Sequence, residues 1–98
     1  MRARAKTDSN QPDIVDGLRS IGASVQILAA VGKGCPDLLI GYRGVNVLLE
    51  IKDGAKSPSR RELTDDQVIW HGRWNGQVAS ATNLEEAIAV VQIVARKA

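Results

Sequence analysis

The sequence predicts an α/β fold, a mixed β-sheet flanked by helices in the order αβββαβα. Three observations carry the prediction. Apolar residues recur at helical spacing near both ends of the chain and once past its middle, apolar and β-branched runs bounded by glycine lie between them, and the first three such runs are joined by connections too short for a crossover helix. At 98 residues there is room for one domain with one modest core. With 44% hydrophobic residues, 24% charged and no Phe, that core must be filled by Val, Ile, Leu and Ala.

Residues 1 to 9 are polar and basic without periodicity and are expected to form a mobile tail, carrying Arg2, Arg4 and Lys6, ahead of a single domain over 10 to 98. Ile14, Val15, Leu18 and Ile21 share a helical face; with Pro12 in the first turn and Gly22 as a stop they predict a helix over 10 to 21. The run from Ser24 to Val31, ended by Gly32-Lys33-Gly34, predicts a first strand. Asp37 to Tyr42 is the second, and Val45 to Lys52, after a turn at Gly44, is the third. Short turns between them imply an antiparallel meander. Residues 53 to 63 carry Gly54, Ser57, Pro58 and Ser59 with no hydrophobic period and read as a loop. Thr64-Asp65-Asp66-Gln67 has the form of a capping box opening a helix that runs to Asn75-Gly76. Gln77 to Ala81 is a fourth strand, and a second cap at Asn83 opens a C-terminal helix with Ile88, Val91 and Val94 or Ala95 on one face.

A net charge of +2 says little about partners, but its distribution says more: Lys56, Arg60 and Arg61 crowd one loop and could lie against a polyanion or simply be solvated. The single cysteine rules out an intramolecular disulfide, and Cys35 has no Cys or His near it in sequence, which argues against zinc or a catalytic thiol. No signal-peptide core and no bilayer-length apolar run is evident, which predicts a cytoplasmic protein without a membrane or a small organic cofactor.

Asp37, Glu50 and Lys52 stand at the ends of the second and third strands, where apolar residues are otherwise the rule. Side chains alternate along a strand, so Glu50 and Lys52 share a face, and a hairpin pairing brings Asp37 beside Glu50. Two carboxylates there could hold one Mg²⁺, with the Ile51 carbonyl as a further oxygen and Lys52 placed to orient water. The plain alternative is an exposed cross-strand pair and a turn aspartate after Pro36.

Gly34-Cys35-Pro36-Asp37-Leu38-Leu39-Ile40-Gly41 followed by Leu49-Glu50-Ile51-Lys52-Asp53 resembles the PD-(D/E)XK nuclease superfamily, and within it the small stand-alone VRR-NUC proteins of phages and bacteria. The resemblance runs from about Asn10 to Val91. It implies a restriction-endonuclease-like fold, dependence on Mg²⁺ or Mn²⁺, a bacterial host cell, and cleavage of DNA, often flaps or four-way junctions. It also implies roles: Asp37 and Glu50 as metal-binding acids, Lys52 as the catalytic lysine, Gln67 as a supporting glutamine, and an acid on the first helix, Asp13 ahead of Asp16. Gln67 is equally explained as the capping-box partner of Thr64, and Asp13 as an acid complementing the helix dipole.

Lys33 and Arg43, in the turns flanking the second strand, are candidate phosphate contacts, and His71, one turn after Gln67, could approach a scissile phosphate or be a surface histidine. Trp70 and Trp74 suit packing, an interface or stacking on bases. Three functions follow: an endonuclease, a catalytically silent DNA-binding or regulatory module on the same fold, or a protein acting through protein contacts. A homodimer is expected, with the apolar strand 24 to 31 as an edge that pairs or swaps.

Overall fold

In the computed structural model, which describes residues 8 to 97, the first apolar stripe folds as helix α1 (Gln11–Ser20), with Pro12 in its first turn and Gly22 at φ +95° just beyond its end. Strands β1 (Ser24–Ile27), β2 (Leu38–Tyr42) and β3 (Val45–Ile51) follow. A short 3₁₀ turn (Pro58–Arg60), helix α2 (Asp65–Arg73), strand β4 (Val78–Ala81) and helix α3 (Leu84–Lys97) complete the order. The basic tail residues Arg2, Arg4 and Lys6 lie outside the described residues. No helix among the described residues is long and apolar enough to cross a membrane.

The four strands form one sheet in the order β1-β2-β3-β4. β1/β2 and β2/β3 are antiparallel and β3/β4 is parallel, so the sheet is mixed. The parallel pair needs a long crossover, and the loop with α2 supplies it. Register places Leu38 opposite Leu49 and Ile40 opposite Val47, with Ile51 beside Ala81. These side chains share one face, which is buried under Ile14, Val15 and Leu18 of α1 and Ala87 and Val91 of α3. Alternation sends Leu39, Leu48 and Glu50 to the opposite face. Among the described residues α2 is the only helix on that face, and none of its residues is fully buried.

The strand expected over 24 to 31 stops at Ile27. The Leu28 N–H still donates to the Asp37 carbonyl at 2.7 Å, but the chain then turns, with Gly32, Lys33 and Gly34 at φ of 76°, 56° and 84°. Three successive left-handed residues cannot continue a ladder. Val31, apolar as it is, lies 63% exposed in that turn. The edge strand is thus four residues long. Helix α2 also ends early, at Arg73, because Trp74 is already extended at φ −80° and ψ 124°.

This glycine-rich turn fixes the relation between the start of β2 and α2. A Cβ on Gly34 would meet the backbone carbonyl of Asp66 in the first turn of α2, and Gly34 also holds a left-handed φ. Gly34→Ala is expected to cost about 1–3 kcal/mol from backbone strain alone. Urea denaturation should show a lower midpoint with an unchanged slope; an unchanged midpoint would mean that Gly34 does not hold this left-handed conformation against α2 in solution.

Candidate active site

The site begins where the β2/β3 ladder runs out. Continuing the register two residues past Leu38 and Leu49 puts Pro36 opposite Ile51, and proline has no N–H to give. The Ile51 N–H turns instead to the Asp37 side chain, donating to Oδ2 at 2.7 Å. The carbonyl of a strand residue points to the same side as its N–H, so the Ile51 oxygen is left on the Asp37 side without a ladder donor. Pro36 therefore frees one oxygen and anchors one carboxylate.

Glu50 points away from the core, yet it is only 3% exposed because α2 covers it. Its Oε2 accepts from Gln67 Nε2 at 3.0 Å and lies 3.9 Å from Lys52 Nζ. Its Oε1 is buried with no donor. The Asp37 carboxyl is close enough to share a hydrogen bond with that of Glu50, which two ionised carboxylates cannot do without a proton or a cation between them. Burial first, and then Asp37, push Glu50 up to about 8; Lys52 opposes the rise and Asp8 adds to it.

Gln67 closes the capping box and at the same time bonds both Glu50 and Lys52. Its backbone N–H donates to Thr64 Oγ1 and its Oε1 accepts from the Thr64 N–H at 2.9 Å, which completes the capping box. The same Oε1 accepts from Lys52 Nζ at 2.7 Å, while Nε2 holds Glu50. One carboxamide thereby sets the positions of an acid and a cation. His71 stands beside this group, with Nε2 buried and unpartnered; burial, then Lys52, push its pKa below the ordinary value and favour the neutral ring.

The acid that the start of α1 brings to the site is Asp8 rather than Asp13. Asp13 and Asp16 are exposed, and the charge that reaches Glu50 from this segment is that of Asp8. Asp8 is held by its carbonyl, which accepts from the Gln11 N–H, and by an ion pair with Lys56 at 3.0 Å. Asn10, next but one, donates from Nδ2 to the carbonyls of Lys52 at 3.1 Å and Thr82 at 3.0 Å, stapling the segment to the ends of β3 and β4. Neither residue stands out in the sequence, since a polar pair ahead of Pro12 looks like an ordinary helix start.

The basic candidates separate. Lys33 is exposed in the turn at the Asp37 end of the sheet. Arg43 sits at the far end, roughly 16 Å of strand away, its guanidinium 5.2 Å from the Tyr42 ring. Lys56 is engaged by Asp8, Arg60 is exposed, and Arg61 is half-buried near Glu86 at the start of α3.

Two carboxylates, one with an orphaned buried oxygen, and a free strand carbonyl fit a hard divalent cation whose remaining ligands are water and substrate. Among the described residues no three Asp, Glu, His or Cys side chains converge on one point, so such an ion would depend on backbone, water and substrate oxygens. Without it, the folded protein keeps on Glu50 a proton that an unfolded glutamate, with its ordinary value of 4.5, has released between there and about 8. The native state binds more protons in that window, so its stability falls as pH rises through it. Calorimetry without divalent ions should show the melting temperature declining from pH 5 to 8 in wild type and declining less in Glu50→Gln; equal slopes would reject the assignment. No family model, no curated protein and no solved structure matches this chain.

Proposed function

We propose that this protein is a metal-dependent endonuclease that hydrolyses DNA phosphodiester bonds, in the manner of the PD-(D/E)XK nucleases and on a restriction-endonuclease-like fold. The observation that carries the reading is the buried Glu50 carboxyl, with an oxygen lacking any donor, set against Asp37 and flanked by Lys52. A protein pays for a buried acid pair only where something offsets it, and a dication does so while the pair is ionised.

Asp37, Glu50 and the Ile51 carbonyl would hold Mg²⁺, or Mn²⁺ in its place, and Asp8 adds negative charge nearby without converging on the same point. When bound, the ion supplies charge neutralisation at the scissile phosphate and acidifies water. Lys52, kept in place by Gln67 with its Nζ 3.9 Å from Glu50 Oε2, would orient the attacking water and stabilise charge gathering on phosphate oxygen. Neutral His71 borders the same space and adds no charge. Lys33 and Arg60 are exposed cations suited to backbone phosphates.

Branched DNA, a flap or a four-way junction, is the proposed substrate. Paired cuts across a junction need two such sites, so a homodimer is the proposed working form. A panel of single-stranded, duplex, flap and junction DNA tests this. Mg²⁺-dependent cutting is expected, falling by at least about a hundredfold in Asp37→Asn and in Lys52→Ala, with both variants folded and still binding DNA. Tight DNA binding without cutting in Mg²⁺ or Mn²⁺ would instead identify a silent binding module.

A further inference from the structure

The sheet face opposite the core is not closed by α2, and the space between them is a groove of about 570 Å³. Leu39 and Leu48 form part of its lining, Trp70 and Trp74 another part, and the carboxamides of Asn46 and Gln77 add polar atoms. The two indoles stack nearly parallel, 17° apart with ring centroids 4.8 Å apart, and Trp74 remains 47% exposed. None of the lining residues carries a charge at neutral pH. Arg73 shares a second, adjoining hollow with the same two tryptophans.

One end of the groove comes near the acid pair, because Cys35, which lines it, stands two residues before Asp37. Gln67, which holds Glu50, is followed by Trp70 on α2 and by Trp74 just past the helix end, and both indoles line the groove. Three residues of helix rise roughly 4.5 Å, the scale on which a nucleotide carries its base away from its phosphate.

We propose that this groove holds an unpaired nucleobase of single-stranded DNA, so that the bond cleaved lies next to an unpaired nucleotide. The cleavage half rests on the nuclease reading; capture of the base does not. Charge complementarity selects this occupant. A base is planar, neutral and edged with donors and acceptors, which suits an uncharged aromatic slot with carboxamides at hand, while the phosphates on either side meet Arg73 and the Lys52 end. Gln77 Nε2 already donates to the Asn46 carbonyl at 2.6 Å, but an aliphatic side chain from another protein, or from a second copy, would leave the Asn46 side-chain amide and Gln77 Oε1 unmatched.

The chain has two tryptophans and both line the groove, so intrinsic fluorescence reports on it directly. Without divalent ions, oligothymidylate should quench that fluorescence saturably, whereas an abasic strand of equal length should not. Trp74→Ala, shown to be folded by its thermal transition, should weaken binding by about tenfold, and Trp74→Phe should recover most of the loss. In Mg²⁺, a flap with an abasic residue beside the cleaved bond should be cut more slowly than the intact flap. Equal quenching by abasic and intact strands overturns the proposal, as does fluorescence that changes only with protein concentration, which marks a self-association face. Cleavage indifferent to Trp74→Ala and to the abasic residue overturns it while the nuclease reading stands. Quenching with no cutting of any substrate supports base capture and removes the nuclease reading instead.

Discussion

The arrangement turns on one carboxyl group, that of Glu50, held out of water on the side of the sheet that has no hydrophobic core. Such a group is stable only if its neighbours answer it, and each neighbour is fixed from a different part of the chain. Gln67 donates to it from α2, Lys52 stands beside it from the same strand, and Asp37 faces it from the head of β2. Because α2 buries no residue fully, the polar contacts of Gln67 and the close approach of Gly34 account for much of its placement. The helix is seated by the site it helps to build.

Backbone chemistry supplies the rest of the geometry. Pro36 ends a ladder by withholding an N–H, and the two groups released by that ending, the Ile51 N–H and C=O, become an anchor for Asp37 and an oxygen on the same side. Asn10 does the corresponding work at the other edge, tying the entry to α1 across the last carbonyls of β3 and β4. That staple keeps Asp8 within electrostatic reach of Glu50. The ion pair of Asp8 with Lys56 is largely solvated and holds the loop only weakly.

Much of this was legible in the residues. Strand parity alone put Glu50 and Lys52 on the face away from Leu49 and Ile51, and the hairpin with Asp37 followed from a turn at Gly44. The Thr64 to Gln67 spacing gave the capping box. The errors came from patterns that hydropathy does not resolve. Leu28 to Val31 is apolar enough for a strand, but the left-handed conformations at Gly32, Lys33 and Gly34 override it. Asp13 has the position of a helix acid, yet the helix turns it to solvent, while the charge of Asp8, ahead of the helix, reaches Glu50.

What the sequence determined by itself was local and periodic: where helices and strands lie, which side chains share a face, and that three charged residues end two adjacent strands. Those properties depend on neighbours a few positions apart, and such neighbours are written in order along the chain. Tertiary structure alone decided that Glu50 is buried, that Gln67 joins it to Lys52 across some fifteen positions of sequence, and that Asp13 is exposed while the charge of Asp8 reaches Glu50. It also decided that the second face of the sheet stays open beside two stacked tryptophans. Burial and through-space charge depend on which distant segments come together, and no periodicity along a single chain encodes that.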